Sequence, residues 1–362
     1  MADVVEYKCP ACGGAMEFNS KIQKMKCPYC DTEMSLEDFE KLQKESAETK
    51  SAGTASEETM SETDFWNEEE TEKIHVYVCE SCGGEIIADD TTGATSCPYC
   101  GNRVVMKGQF TGDLKPDYII PFKKDKKDAK QGYLNHLKRK SFLPKVFKKE
   151  NHIDEIKGVY VPFWLFDADV DASIDYDAKR VRTWESGDTE YTETSHYKAK
   201  RAGSISFDNV PEDGSEKMDD SLMESIEPYD FKEAVDFKSA YLAGYVADRY
   251  DVKAEECIKR AKKRMKRTAE QVFMESVTGY DTVSVSSSSV NIENSKCSYA
   301  LYPAWILNTT YKGQKYVFAM NGQTGRVVGN LPVDKSAFWK SVSLWTVVGT
   351  VAFYLIFSIF GL

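Results

Sequence analysis

Eight cysteines carry the most specific chemistry in this 362-residue chain. Cys9-Pro-Ala-Cys12 is followed after fourteen residues by Cys27-Pro-Tyr-Cys30, and Cys79-Glu-Ser-Cys82 is followed after the same fourteen by Cys97-Pro-Tyr-Cys100. A Cys-x-x-Cys turn sets two sulfurs on one side of a tight bend. Two such bends joined by a short hairpin close a four-sulfur tetrahedron of the kind that holds zinc. Gly13-Gly14 and Gly83-Gly84 follow the first bend of each copy, where positive φ angles let the chain leave it. No histidine or carboxylate joins either array, and all four positions are sulfur. The pattern therefore predicts two structural zinc ions per chain and no catalytic one. Units of roughly 30 residues are too small to hold a core unaided, so metal binding supplies their folding energy. A secreted four-disulfide scaffold is the competing explanation. It is disfavoured by an N-terminus, Met-Ala-Asp-Val-Val-Glu, without a charged-then-apolar signal region. Cys257 and Cys297 stand alone and are expected as buried small apolar side chains.

Positioning those cysteines requires two zinc ribbons, over 4–36 and 75–108. Between them, 37–73 holds 13 acidic and 4 basic residues and few large apolar ones, the composition of a solvated linker. Phe65-Trp66 interrupts it and suits a docking peptide or local packing on the second ribbon equally well. A domain over 115–333 follows. Helical spacing runs through 126–139 (Ala129, Tyr133, Leu134, Leu137) and 252–277 (Cys257, Ala261, Met265), each with a basic opposite face. Strand patterns occupy Val159–Trp184, Thr189–Phe207, Thr282–Val290, Tyr299–Tyr311 and Lys315–Ala319, with hairpin turns expected at Glu185–Asp188 and Asn321-Gly322. Val161-Pro162-Phe163-Trp164 resembles Tyr302-Pro303-Ala304-Trp305, which suggests an internal repeat. The last 22 residues, 341–362, carry no charge. As a helix they extend about 33 Å, which predicts a transmembrane span of single-pass topology with the N-terminal bulk in the cytoplasm. The expected fold class is α+β: two small four-cysteine zinc ribbons, an α+β domain with mainly antiparallel strands, and one C-terminal transmembrane helix.

Charge narrows the function. The net charge is −11 and the ribbons are near neutral, with 4 basic and 5 acidic residues in 1–36 and 2 and 4 in 75–108. Gripping phosphates calls for more lysine and arginine, so nucleic acid is an unlikely partner. No glycine is followed by lysine, which excludes a phosphate-binding loop of the Walker type. The four histidines, His75, His136, His152 and His196, form no metalloprotease pattern. Asp167, Asp169 and Asp171 alternate along a strand and share one face, read as solvent-facing rather than as a cation site. No catalytic constellation emerges, and the chain is not expected to be an enzyme.

Several strings occur in a fixed order: the twin ribbons, Tyr118-Ile-Ile-Pro-Phe-Lys, Gly158-Val-Tyr-Val-Pro-Phe-Trp-Leu-Phe-Asp, Tyr316-Val-Phe-Ala-Met-Asn-Gly-Gln-Thr-Gly-Arg, and the apolar C-terminus. Together they resemble the bacterial membrane-anchored zinc-ribbon proteins of the YdjG type, some of which carry TFIIB-type zinc-ribbon or primosomal-helicase labels. The resemblance covers nearly the whole chain and places the zinc ligands on the eight cysteines named above. It implies a membrane anchor for flotillin-like (SPFH) and phage-shock-type protein partners in envelope-stress response. The expected function is accordingly an adaptor that recruits protein partners to the cytoplasmic face of the membrane. A nucleic-acid-binding or transcription-related zinc-ribbon protein is the alternative.

Overall fold

The structure, a computed structural model, describes residues 8–39, 41–42, 74–79, 81–89, 97–99, 104–109, 114–138, 140, 142–148 and 153–360. The linker aromatics Phe65 and Trp66, and Cys100, lie outside them. The first four-cysteine unit forms its own antiparallel sheet of β1 (Glu17–Asn19), β2 (Lys24–Lys26) and β3 (Glu33–Met34), in that order. The other described strands belong to one mixed sheet. They are β4 (Ile74–Cys79), β5 (Glu85–Asp89), β6 (Val104–Gln109), β7 (Tyr118–Ile119), β8 (Lys157–Ser186), β9 (Thr189–Asp213), β10 (Val235–Asp236), β11 (Val246–Asp248), β12 (Thr282–Tyr311), β13 (Gln314–Asn321) and β14 (Val327–Gly329). The main path runs β10-β7-β12-β8-β11-β5-β4-β6, with β9 on β8, and with β13 on β12 and β14 on β13. Pairing is antiparallel except for β11 with β8 and β12 with β7.

Side-chain pattern explains where each strand lies. Val159 to Leu165 in β8 is apolar and buried on both faces, as a central strand requires. From Asp167 onward the strand alternates. Ala168, Val170, Ala172, Ile174, Tyr176 and Ala178 are buried, whereas the aspartates at 167, 169, 171, 175 and 177 take the other face. The buried row is covered by the 22-residue helix Ala254–Glu275, whose Cys257, Ala261, Met265 and Ala269 recur every fourth residue to form its apolar stripe. Tyr176 Oη donates to Glu270 O at 2.7 Å, and Trp164 Nε1 donates to Val252 O at 2.8 Å, which fixes the helix along and across the sheet. Trp305 Nε1 donates to Lys124 O at the same 2.8 Å. The two Pro-x-Trp stretches are antiparallel neighbours, with Val161 opposite Tyr302 and Trp164 opposite Tyr299. Beneath them Phe122 is fully buried, stacked on Tyr245 at 4.2 Å and edge-on to Tyr160 and Trp305.

Several expectations are corrected. The expected α+β class gives way to a chain whose described residues are mostly sheet, 43% strand against 28% helix, with one large mixed sheet. The second four-cysteine unit has no sheet of its own, because β5 pairs with β11 and extends the main sheet. Among the described residues no helix is long and apolar enough to cross a membrane. That overturns the transmembrane span, and the single-pass localisation with it. The C-terminal helix does form, over Lys335–Phe360. Its apolar run is diluted by Ser341, Ser343, Thr346 and Thr350, which lower its hydropathy. The break read at 291–298 is absent, and the turn expected at 185–188 is present. β12 runs unbroken through 291–298 with a register shift between Glu293 and Lys296, whereas β8 and β9 do turn at Gly187, φ +65°. Asn321-Gly322 is not a two-residue turn. Asn321 is buried, its Oδ1 accepts from the amides of Gln323 and Thr324, and Gly325 takes the positive φ.

Candidate metal centres

Each centre is built from its first bend upward. Gly13 N donates to Cys9 O at 2.8 Å and Cys9 N to Gly14 O at 2.7 Å. Gly83 and Cys79 repeat the pattern at 2.8 and 2.9 Å. Positive φ falls on the first glycine of each pair, Gly13 at +73° and Gly83 at +70°. The second glycine has another role: a Cβ on Gly14 would meet the Tyr29 ring at 2.6 Å. That residue is small because the tyrosine of the second bend lies against it. In the second bend Asp31 N donates to Cys27 O at 3.0 Å and Cys27 N to Thr32 O at 2.9 Å, with Asp31 at φ +58°.

These bends bring Cys9, Cys12, Cys27 and Cys30 together, and separately Cys79, Cys82 and Cys97. The sulfurs within each group lie within 4.8 Å of one another. Cys9–Cys30 and Cys12–Cys27 are 3.5 Å apart, and Cys82–Cys97 3.6 Å. A disulfide needs about 2.05 Å. A tetrahedron with metal–sulfur bonds of about 2.3 Å has edges of about 3.8 Å. The spacing therefore fits a metal and not a disulfide. Electrostatics point the same way. Hydrogen bonding from Thr32 pulls the Cys30 thiol down to about 6. The Gly14 amide also favours a Cys12 thiolate, but the sulfurs of Cys30 and Cys27 outweigh it and push Cys12 up to about 12. Four thiolates at this distance need a cation between them, and a divalent ion bound by sulfur supplies it. Such an ion would hold the bends together, with no position open to substrate.

The two centres differ in their surroundings. Cys79 and Cys97 are buried at 0% and 1%, and Tyr99 between them and β11 at 8% exposed. Asn308 Nδ2 donates to Pro98 O. Ser215 Oγ donates to Asp248 Oδ2 at 2.5 Å, beside the Tyr99 phenol. In the first unit Cys12 and Cys30 are exposed and Tyr29 is 76% exposed. That unit is nevertheless seated on the body rather than swinging free of it. Phe18 N donates to Ala243 O at 3.1 Å, the Phe18 ring meets Tyr241 at 5.0 Å, and Gln23 Nε2 donates to Phe122 O at 2.8 Å. Lys21 pairs with Asp128. Both units thus lean on one stretch, 241–248, the first through β1 and the second through β5.

Outside the cysteines, the basic face of the long helix is not uniformly solvated. Arg260 reaches Glu212 at 3.3 Å and Asp220 at 2.5 Å, and Arg264 pairs with Glu227. Asp169 and Asp171 accept from Ser206 and Ser204, and Asp167 from Asn209 N, and no metal-holding group includes them among the described residues. Cys257 is buried as expected, but Cys297 is exposed.

One prediction follows from the seating of the first unit. Cys27→Ser is expected to lower the metal content measured by plasma emission from about two ions per chain to about one, and to leave the main thermal transition of the body in place. Loss of both ions would show that the two centres fold as one cooperative unit.

In sequence, the chain is 34% identical over 341 residues to a Bacillus subtilis (strain 168) protein named "Uncharacterized protein YdjG", covering 93% of this chain and 94% of that one. No protein-family model matches the chain, and there is no significant match among solved structures.

Proposed function

This chain belongs to the YdjG family, and from that premise we propose that it is a non-enzymatic zinc-ribbon adaptor whose first ribbon grips protein partners. The observation that carries the reading is the unequal burial of two matched tyrosines. Tyr29 and Tyr99 occupy the same position of Cys-Pro-Tyr-Cys, yet Tyr99 is 8% exposed within the body and Tyr29 is 76% exposed. A rigid aromatic with a polar tip, held on a metal-stiffened bend, suits an interface anchor. Lys26 beside it pairs with Asp31 at 3.1 Å and Glu33 at 3.6 Å, a polar rim of both signs. The family resemblance names the partners as flotillin-like (SPFH) and phage-shock-type proteins in envelope-stress response. Zinc is the metal we assign, since an all-sulfur tetrahedron favours it.

Affinity purification of the full chain, with co-purifying proteins identified by mass spectrometry, tests the proposal. Tyr29→Ala is expected to weaken capture by about 2 kcal/mol, roughly 30-fold in affinity, with metal content unchanged. Undiminished capture by Tyr29→Ala would remove the first ribbon as the grip. Nucleic acid or RNA polymerase in its place would overturn the adaptor altogether.

A further inference from the structure

We propose that the free edge of β12 pairs, antiparallel and about a two-fold axis, with the same edge of a second copy of this chain. Beyond the body, β9, β8 and β12 continue as a three-stranded arm with the long helix on one face. β12 gives one edge to β8 along its length. Its other edge is taken by β7 at Ala300 and Leu301 and by β13 from Ala304 to Tyr311. Thr282–Ser298 therefore has no strand on that side among the described residues. β9, at the opposite side of the arm, also pairs with β8 alone among them.

The two edges differ in their chemistry. β9 carries Glu190, Glu193, Lys198, Lys200, Arg201 and Pro211, the charges and proline that blunt an edge against further pairing. β12 carries none from Thr282 to Ile292, where every residue is Thr, Val, Ser, Asn or Ile. Within that run, Ser287 to Glu293 keeps an unbroken register against Asp175 to Asp169 of β8, between the irregularities at Val285/Ser287 and Glu293/Lys296. A regular, uncharged edge presents a row of amides and carbonyls that another strand can complete.

A second copy suits this edge because nothing in it repels itself. A charged peptide would find no complementary charge there. Apart from Glu293, which a two-fold near Val290 sets opposite Ser287, the carboxylates nearest this edge lie on β8, so the two aspartate rows of a paired arm stand three strand spacings apart, about 14 Å. That is beyond the screening length of about 8–10 Å. A two-fold near Val290 sets Ser289 opposite Asn291 of the second copy. Val285, 41% exposed, gains a neighbour on the helix side. Pairing is isologous and closes at two copies. It would give an adaptor two first ribbons on one particle, which raises avidity. The inference does not depend on the reading of Tyr29.

Sedimentation equilibrium of the full chain, with amide hydrogen exchange at two concentrations, is the test. The wild type is expected to be a dimer at about 100 μM, with amides of 287–293 exchanging more slowly there than on dilution. Ser289→Lys with Asn291→Lys, both exposed positions, sets lysines against each other across the axis. It is expected to raise the dissociation constant about tenfold or more while leaving the circular dichroism and melting unchanged. A monomeric wild type would overturn the proposal. So would a dimer that survives the double variant, or one whose slowed amides lie elsewhere.

Discussion

Replacing Cys97 by serine is expected to destabilise the main sheet, not only one metal-holding unit. Cys79 and Cys97 share an apolar cluster with Ile86, Tyr99, Val159, Phe163, Val246 and Tyr302. Their unit is joined to the body by backbone pairing of Ile87 with Ala247, and Ala247 pairs in turn with Tyr160 of β8. A structural zinc site contributes about 10–16 kcal/mol at neutral pH, as much as or more than the whole stability of a typical domain, about 5–15 kcal/mol. Little of that can be lost without the surrounding strands following. The expected result is metal content falling by about one ion per chain, with the main melting transition lowered by about 10 °C or more. Cys27→Ser, in the unit with its own sheet, removes the same amount of metal without that shift. Calorimetry on the two variants side by side decides the matter. A body transition in Cys97→Ser at the wild-type temperature would show that the sheet does not depend on the second centre.

The second large effect is a dependence of stability on pH that resides in Asp248. Burial raises its carboxyl from 3.8 to about 7, against the hydrogen bond from Ser215 and the nearby Tyr99 phenol, and the charge of Asp251 adds to the rise. The folded chain thus holds the proton more tightly than the unfolded chain. The contribution of Asp248 is full below about pH 4, falls as pH rises toward about 7, and stays lower above it. The interval corresponds to about 4 kcal/mol, an upper bound for a buried carboxyl. Asp248→Asn keeps an acceptor for Ser215 and removes the ionisation. It is expected to stabilise by about 2–4 kcal/mol at pH 8 in urea unfolding, and by less at pH 6. Glu212 and Asp213, whose carboxyls burial also raises to about 7, leave a residual slope in the variant. Destabilisation by Asp248→Asn at pH 8 would mean that the charged form is the one the fold needs.

What could be read from the chain alone was whatever is local. Cysteine spacing set the metal-holding groups because a Cys-x-x-Cys bend needs only its own backbone and a glycine to leave it. The helix Ala254–Glu275 was legible because its stripe recurs every fourth residue, and the turn at Gly187 because Gly-Asp closes it without outside help. The length of β12 was not legible. Its stretch from Asn291 to Ser298 looks like a break, and it is strand because Asp171 to Leu165 of β8 pairs with it from more than a hundred residues away. The apolar C-terminus suggested a span that the described helix does not make. Tyr29 and Tyr99 show most directly what tertiary structure decided. They share the same four-residue motif, and one is exposed and the other buried. The motif determines the bend and the metal, whereas burial depends on what packs over the ring. Only the second unit has β11 of the main sheet paired along its strand, a contact between residues 160 positions apart in sequence (Ile87 and Ala247) that no local pattern encodes.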